Sequence, residues 1–290
     1  GRSIDLLRKK DNALVFYWMN SILSGPSTHI VNMSSAVATS LFMPFEKALG
    51  SAISASIGMG KWSNVVDELS TYKYLFESAS DAFRVAGKSL KENQNFLDPN
   101  VRAVEYRPTG GISDVRPDTD DLATASKKWV TNVVGAPSRF LAAEDEFFKQ
   151  LNYRAMLKRD LWKTANTDPA TRGLNHRQRA AWVDEKFERS VKDDQMYSEQ
   201  KIAIEAAQAA QARGLMPGGD DYDQFIAAYA QRNWDPNVGR LAQQARDAAR
   251  QSTFTTPLSK NRGVLVSVSS GVTDIINNHP LLRFAVPFVR

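Results

Sequence analysis

The sequence predicts an all-α protein, a multi-helix assembly of amphipathic helices with one long irregular connection. Three observations carry this. Through most of the chain apolar residues recur every three or four positions. The runs are closed by helix-stopping groups such as Gly25-Pro26, Gly135-Ala136-Pro137, Asp168-Pro169 and Asp235-Pro236. Only residues 263–270, with Val264, Val266 and Val268, alternate as a strand does, and one isolated strand makes no sheet.

The first run, residues 3–24, places Ile4, Leu7, Leu14, Tyr17, Trp18, Ile22 and Leu23 at helical spacing and stops at Ser24-Gly25-Pro26. A second helix is expected to start at Ser27 or Thr28, whose hydroxyls can cap its first turn. It leads into residues 33–59, where Glu46 and Lys47 are the only ionisable side chains. Three readings of this stretch stand: a pair of buried helices broken near Pro44, a lipid-contacting or pore-lining segment, and a loose surface segment. Its large side chains Leu41, Phe42, Phe45, Leu49, Ile53 and Ile57 are the candidates for membrane or subunit contact.

Residues 61–91 give the cleanest amphipathic helix, with Trp62, Val65, Leu69, Tyr72, Phe76, Ala79, Phe83, Ala86 and Leu90 in register. Such an aromatic stripe is expected to be core. From Asn93 to Asp121 the periodicity fails among Asp98-Pro99, Arg107-Pro108, Gly110-Gly111 and Arg116-Pro117. A connection this long is uncommon inside a compact domain. It divides the chain into an N-terminal hydrophobic helical region at 1–92, an irregular linker at 93–121, a soluble helical bundle at 122–262 and a C-terminal docking segment at 263–290.

Within the bundle, residues 121–134 form one expected helix. Residues 138–165 form the next, with Glu144, Asp145 and Glu146 near its start and Arg154, Lys158, Arg159 and Lys163 near its end, an order that complements the helix dipole. Helices at 175–193 and 196–213 follow, the latter closed by Gly214. Another is capped by Asp220 or Asp221 and runs to Asn233, and a last one opens at Asp235-Pro236 and runs through Ala249.

Composition excludes several chemistries. The chain of 290 residues has no Cys, so it holds no disulfide, thiolate metal site or cysteine nucleophile. Its 37 basic and 32 acidic residues give a formal charge of only +5, interspersed along the chain. The longest basic cluster (Arg172, His176, Arg177, Arg179) is short for a sequence-specific nucleic-acid reader. Loose contact with phosphate needs only exposed Lys and Arg, so non-specific DNA contact remains open. The charged first residues do not resemble a secretory signal.

No catalytic, metal or cofactor motif is found. His29, His176 and His279 stand in different segments, and neither a His-Glu-x-x-His, a phosphate loop nor a dinucleotide fingerprint occurs. Gly58-Met59-Gly60-Lys61 lacks the upstream glycine and strand of a phosphate loop. Neighbouring carboxylates on a helix point about 100° apart, so Glu144-Asp145-Glu146 cannot alone supply a glycosidase acid and base. Glu144 is the lone candidate general acid, and helix-start electrostatics is the plainer reading of the triplet.

Four strings carry a resemblance: Trp18 to Asn32, Ala143 to Arg154, Thr253 to Pro257, and His279 to Arg290. Together they resemble segments of the large internal virion proteins of tailed bacteriophages, the ejection proteins and their large polyvalent relatives. The strings cover part of the chain, and they identify a family better than a role. The resemblance implies a structural segment of a longer polypeptide, packaged in the virion and then ejected into the host cell envelope to help form a conduit for DNA. The missing motifs give the expectation that this segment is no enzyme and takes no cofactor. Its expected partners are further copies of the chain, other ejection or portal proteins, and the host membrane. In that family the last string runs on beyond its arginine, which makes Leu281, Leu282, Phe284, Val286 and Phe288 a candidate docking element. Two alternatives stay open: a non-catalytic helical module flanking a lytic transglycosylase or virion polymerase, and a general DNA-packing protein.

Overall fold

The computed structural model describes residues 21, 24–92, 94–98 and 136–253. Among them run seven α-helices and no strand: α1 (Pro26–Ser56), α2 (Trp62–Glu92), α3 (Ala136–Thr167), α4 (His176–Val191), α5 (Glu199–Ala212), α6 (Asp220–Asn233) and α7 (Pro236–Ser252). The all-α expectation holds. The expected helices at 3–24 and 121–134, the linker 93–121 for most of its length, the strand-like 263–270 and the docking residues Leu281 to Phe288 lie outside the described residues.

Helix α1 starts one residue earlier than expected. Pro26 occupies its first turn, where a missing N–H costs nothing, and Gly25 is the N-cap without a side-chain cap bond. The expected break at Pro44 is absent; the helix runs unbroken to Ser56. Proline removes one backbone bond, but tertiary packing holds the axis. Met43, Pro44 and Ala48 are buried, and Asn152 Nδ2 donates to Ser40 Oγ at 2.8 Å one turn earlier. Nor is this stretch buried on all sides: Met43 packs inward, while Leu41, Phe42, Phe45, Leu49, Ile53 and Ile57 face outward. At the end of α1 the Gly58–Lys61 stretch is a hairpin turn: Gly58 adopts φ +76, and Met59 N donates to Ser54 O at 2.9 Å.

Helix α3 is the centre of the fold. It packs along α2, α7 and α4, and α1 also reaches it. Its lower half feeds the main core, where Met156, Leu157, Leu161 and Ala165 meet Val183 and Phe187 of α4 and Leu241, Ala242, Ala245 and Ala249 of α7. Met43 of α1 and Leu97, just after α2, join the same core, so residues on both sides of 93–121 are packed together. Each fully buried Leu or Phe there contributes about 1.5–3 kcal/mol.

The later helices follow their capping residues. Asn175 and Gln178 make a reciprocal capping box at α4, Ser198 caps α5, and Asp235 caps α7 through Asn237 N and Val238 N. Helix α6 differs from expectation: Gly219 is its N-cap, and Asp220 and Asp221 sit in the first turn instead, where their charge favours the dipole. No residue of α6 is fully buried.

Candidate interaction surface

Both hairpin helices carry apolar residues on the face turned away from the core as well as on the buried one. Helix α1 buries Ala36, Ser40, Met43, Pro44 and Ala48. Its exposed line is Ile30, Met33, Val37, Leu41, Phe45, Leu49, Ile53 and Ile57, with Phe42 alongside. All six candidate contact residues of the sequence are therefore on the outside, Phe42 at 65% and Ile57 at 64% exposure.

Helix α2 corrects the sequence reading more sharply. Its buried face is Thr71, Tyr74, Leu75, Ser78, Ala82, Val85, Ala86 and Ser89. Of the stripe expected in the core, Ala86 is buried and Tyr72 packs partly against a buried cluster, but its largest members face away. Trp62, Leu69, Phe76 and Phe83 are exposed, the two phenylalanines at 78% and 75%. These four stand seven residues apart, the repeat of a helix seam that receives a second helix. Small Ser78, Ala82 and Ser89 let α2 lie close on α3, while Tyr74, Leu75 and Val85 fill the rest of that face.

A buried ion pair between α3 and the turn after α4 also takes up side chains of the hairpin. Arg154 and Asp194 meet at 3.0 Å with 3% and 7% of their side chains exposed. Arg84 adds two bonds to the same carboxylate at 2.8 and 3.1 Å, and Lys88 lies at 3.6 Å. Asp193 and Asp194 both have positive φ, 59° and 62°, a strained conformation that aspartate tolerates better than most residues and that turns Asp194 back into the α2–α3 seam. Burial alone would raise its carboxyl, but the Arg84 hydrogen bonds and the charges of Arg84, Arg154 and Lys88 outweigh burial and hold it below the usual carboxylate range. Asp98, after α2, is similarly held by Arg250 at 2.6 and 2.8 Å.

The acidic triplet is not a helix-start feature. Helix α3 begins at Ala136, so Glu144, Asp145 and Glu146 lie beyond its first turn, which contains no acid. Each has a structural partner. Glu144 Oε1 lies 2.9 Å from His29 Nδ1, tying the start of α1 to α3, and burial pushes its carboxyl up against the opposing pull of His29. Asp145 pairs with Lys149 at 2.6 Å. Glu146 is buried and accepts from Leu97 N at 3.1 Å and Gln150 Nε2 at 2.9 Å, and burial pushes its carboxyl up to about 7. The resembling string Ala143 to Arg154 is thus the part of α3 that receives the hairpin. Its buried polar residues Lys149, Gln150, Asn152 and Arg154 gave no signal of that role in the sequence beyond their density in one helix.

The exposed lines of the two helices offer apolar contact. Among the described residues no group of three metal-ligating side chains converges, and no helix is long and apolar enough to cross a membrane. Comparison with known family models, curated proteins and solved structures finds no match.

Proposed function

We propose that the chain is a structural segment of a tailed-phage internal virion protein, packaged in the capsid and ejected to help form a genome conduit across the host cell envelope. One observation carries the structural part of this reading. Both hairpin helices present large apolar residues outward, along lines from Ile30 to Ile57 and from Trp62 to Phe83, in addition to the face they bury. Exposed apolar faces of this extent mark contact with another protein or a membrane. The seven-residue spacing of Trp62, Leu69, Phe76 and Phe83 favours another helix, and a second copy of the hairpin offers the same line. Other ejection or portal proteins and the host membrane are further partners for this face. Family assignment rests on the four resembling strings.

The chain carries no catalytic centre of its own in this reading. In support, Glu144 is engaged by His29, Asp145 by Lys149 and Glu146 by Leu97 and Gln150. Sedimentation equilibrium tests the assembly: the chain is expected to be a homo-oligomer that Phe76→Ser with Phe83→Ser dissociates. A strictly monomeric wild type, in solution and cross-linked inside virions, would overturn the proposal.

A further inference from the structure

On the opposite side of α1 from its exposed line, α1, α3 and α7 enclose a half-open pocket of about 460 Å³. That is the size of small-molecule sites, large enough for a phosphate group and what it is attached to. Met156 and Leu241 give it an apolar floor, while Lys47, Arg159, Lys163 and Arg240 give it a basic wall with Asp160 as the one lining acid. Arg159 is already committed. It bonds Glu68 Oε2 through Nη1, and its Nε lies 2.8 Å from Asp160 Oδ1. That triad keeps one net negative charge, against which stand three cations, Lys47, Lys163 and Arg240. None of the three has an ion-pair partner among the described residues.

Lys47, Lys163 and Arg240 come from three separate helices, and Asp160 with the neighbouring Glu68 offsets only part of the charge they bring together with Arg159, so the excess positive charge is held at a cost. An apolar floor raises that cost by lowering the local dielectric, and equally raises the gain when an anion enters. Burial, and then the Arg159 charge, lower the Lys47 pKa from the ordinary lysine value against the opposing pull of Glu68 and Asp160. The Gln244 side chain at the rim adds a neutral donor.

We propose that the pocket between α1, α3 and α7 binds a phosphate-bearing anion through Lys47, Lys163 and Arg240. The phosphate comes either from a nucleic-acid backbone or from a free phosphate compound, and both present the same oxygens to the three cations. This inference is independent of the assembly face.

The test titrates the intact chain with sodium pyrophosphate and, separately, with a short DNA duplex at low salt. At least one of the two is expected to bind, and the Lys163→Gln/Arg240→Gln double variant is expected to lose affinity by about ten-fold or more, since charge-assisted bonds to phosphate are the strong ones. Its unliganded melting temperature should be no lower than that of wild type, because among the described residues neither side chain has an ion-pair partner to lose and the repulsion between them is relieved. Lys47→Met, checked for helicity by circular dichroism, should weaken binding alone. A duplex that pyrophosphate displaces, and that the double variant no longer holds, assigns the phosphate to nucleic acid. Pyrophosphate binding that a duplex does not displace assigns it to a free compound. Failure of both probes to bind wild type, or binding that the double variant leaves unchanged, would overturn the proposal.

Discussion

Arg154 and Asp194, forty residues apart, meet at 3.0 Å where neither side chain is more than 7% exposed. Their pairing joins the middle of α3 to the turn after α4, and Arg84 brings α2 to the same carboxylate. Three chain segments thus share one buried charge. Removing one partner of such a pair leaves the other uncompensated, which costs about 3–5 kcal/mol.

Asp194→Ala should therefore lower unfolding free energy by about 3 kcal/mol or more. Arg84→Gln should cost about 1 kcal/mol or less, because Arg84 is half exposed and water can replace its contribution. Urea denaturation of both variants checks the contrast; equal losses would mean that Asp194 depends on Arg84 more than on Arg154.

Stability should peak at weakly acidic pH. Glu146 has a folded pKa raised to about 7, so the folded state binds its proton more tightly than the unfolded chain does. That contribution is full below the unfolded carboxylate pKa and is lost as pH rises through about 7. Asp194 acts in the opposite sense: its folded pKa is lowered, so its contribution is lost as pH falls through that value. Glu146→Gln should remove the alkaline-side decline, a gain over wild type of up to about 3 kcal/mol above neutral pH. Thermal melts from acidic to mildly alkaline pH would show it; parallel wild-type and variant profiles would contradict it.

Phe76→Ser and Phe83→Ser should leave the isolated fold nearly untouched, within about 0.5 kcal/mol each, because both rings are more than 70% exposed. Their effect should fall on self-association, read as a shift in sedimentation coefficient at equal concentration. Loss of helicity in either variant would place the rings back in the core.

Gly239→Ala should destabilise α7. An added Cβ would stand 2.2 Å from Cη2 of Trp234, whose ring is stacked on Tyr197 at 5.0 Å between centroids. Relief requires the indole to leave that stack, a cost of about 1–3 kcal/mol for overpacking. Differential scanning calorimetry would register a lower melting temperature, and loss of the near-ultraviolet aromatic signal would locate the change at Trp234.

The fold class was legible because helical periodicity and turn residues are local. Asn175, Ser198 and Asp235 mark the starts of α4, α5 and α7 through side-chain bonds two or three residues away, which a linear reading can follow. The face of α2 was not legible. A stripe of Trp62, Leu69, Phe76 and Phe83 announces an interface, but periodicity does not say whether its partner lies in the same chain. The small residues Ser78, Ala82 and Ser89 on the opposite side were the available clue, since close helix contact needs them. The same ambiguity hid Glu146, whose role depends on Leu97, 49 residues away. The exposure of the six candidate residues from Leu41 to Ile57 followed a signal of another kind, since absence of charge over a long stretch is visible without knowing the fold.

Helix α6 has a consequence for how this chain can change over generations. None of its residues is fully buried, and only Tyr229 and Ala230 rest against the main core. Substitutions along the remainder of that helix meet little resistance from folding, whereas almost every residue of α3 from Phe148 to Leu157 is enclosed. Mutation should therefore accumulate fastest in α6 and slowest in the middle of α3, and descendants of one ancestral gene would remain recognisable longest by that interior segment.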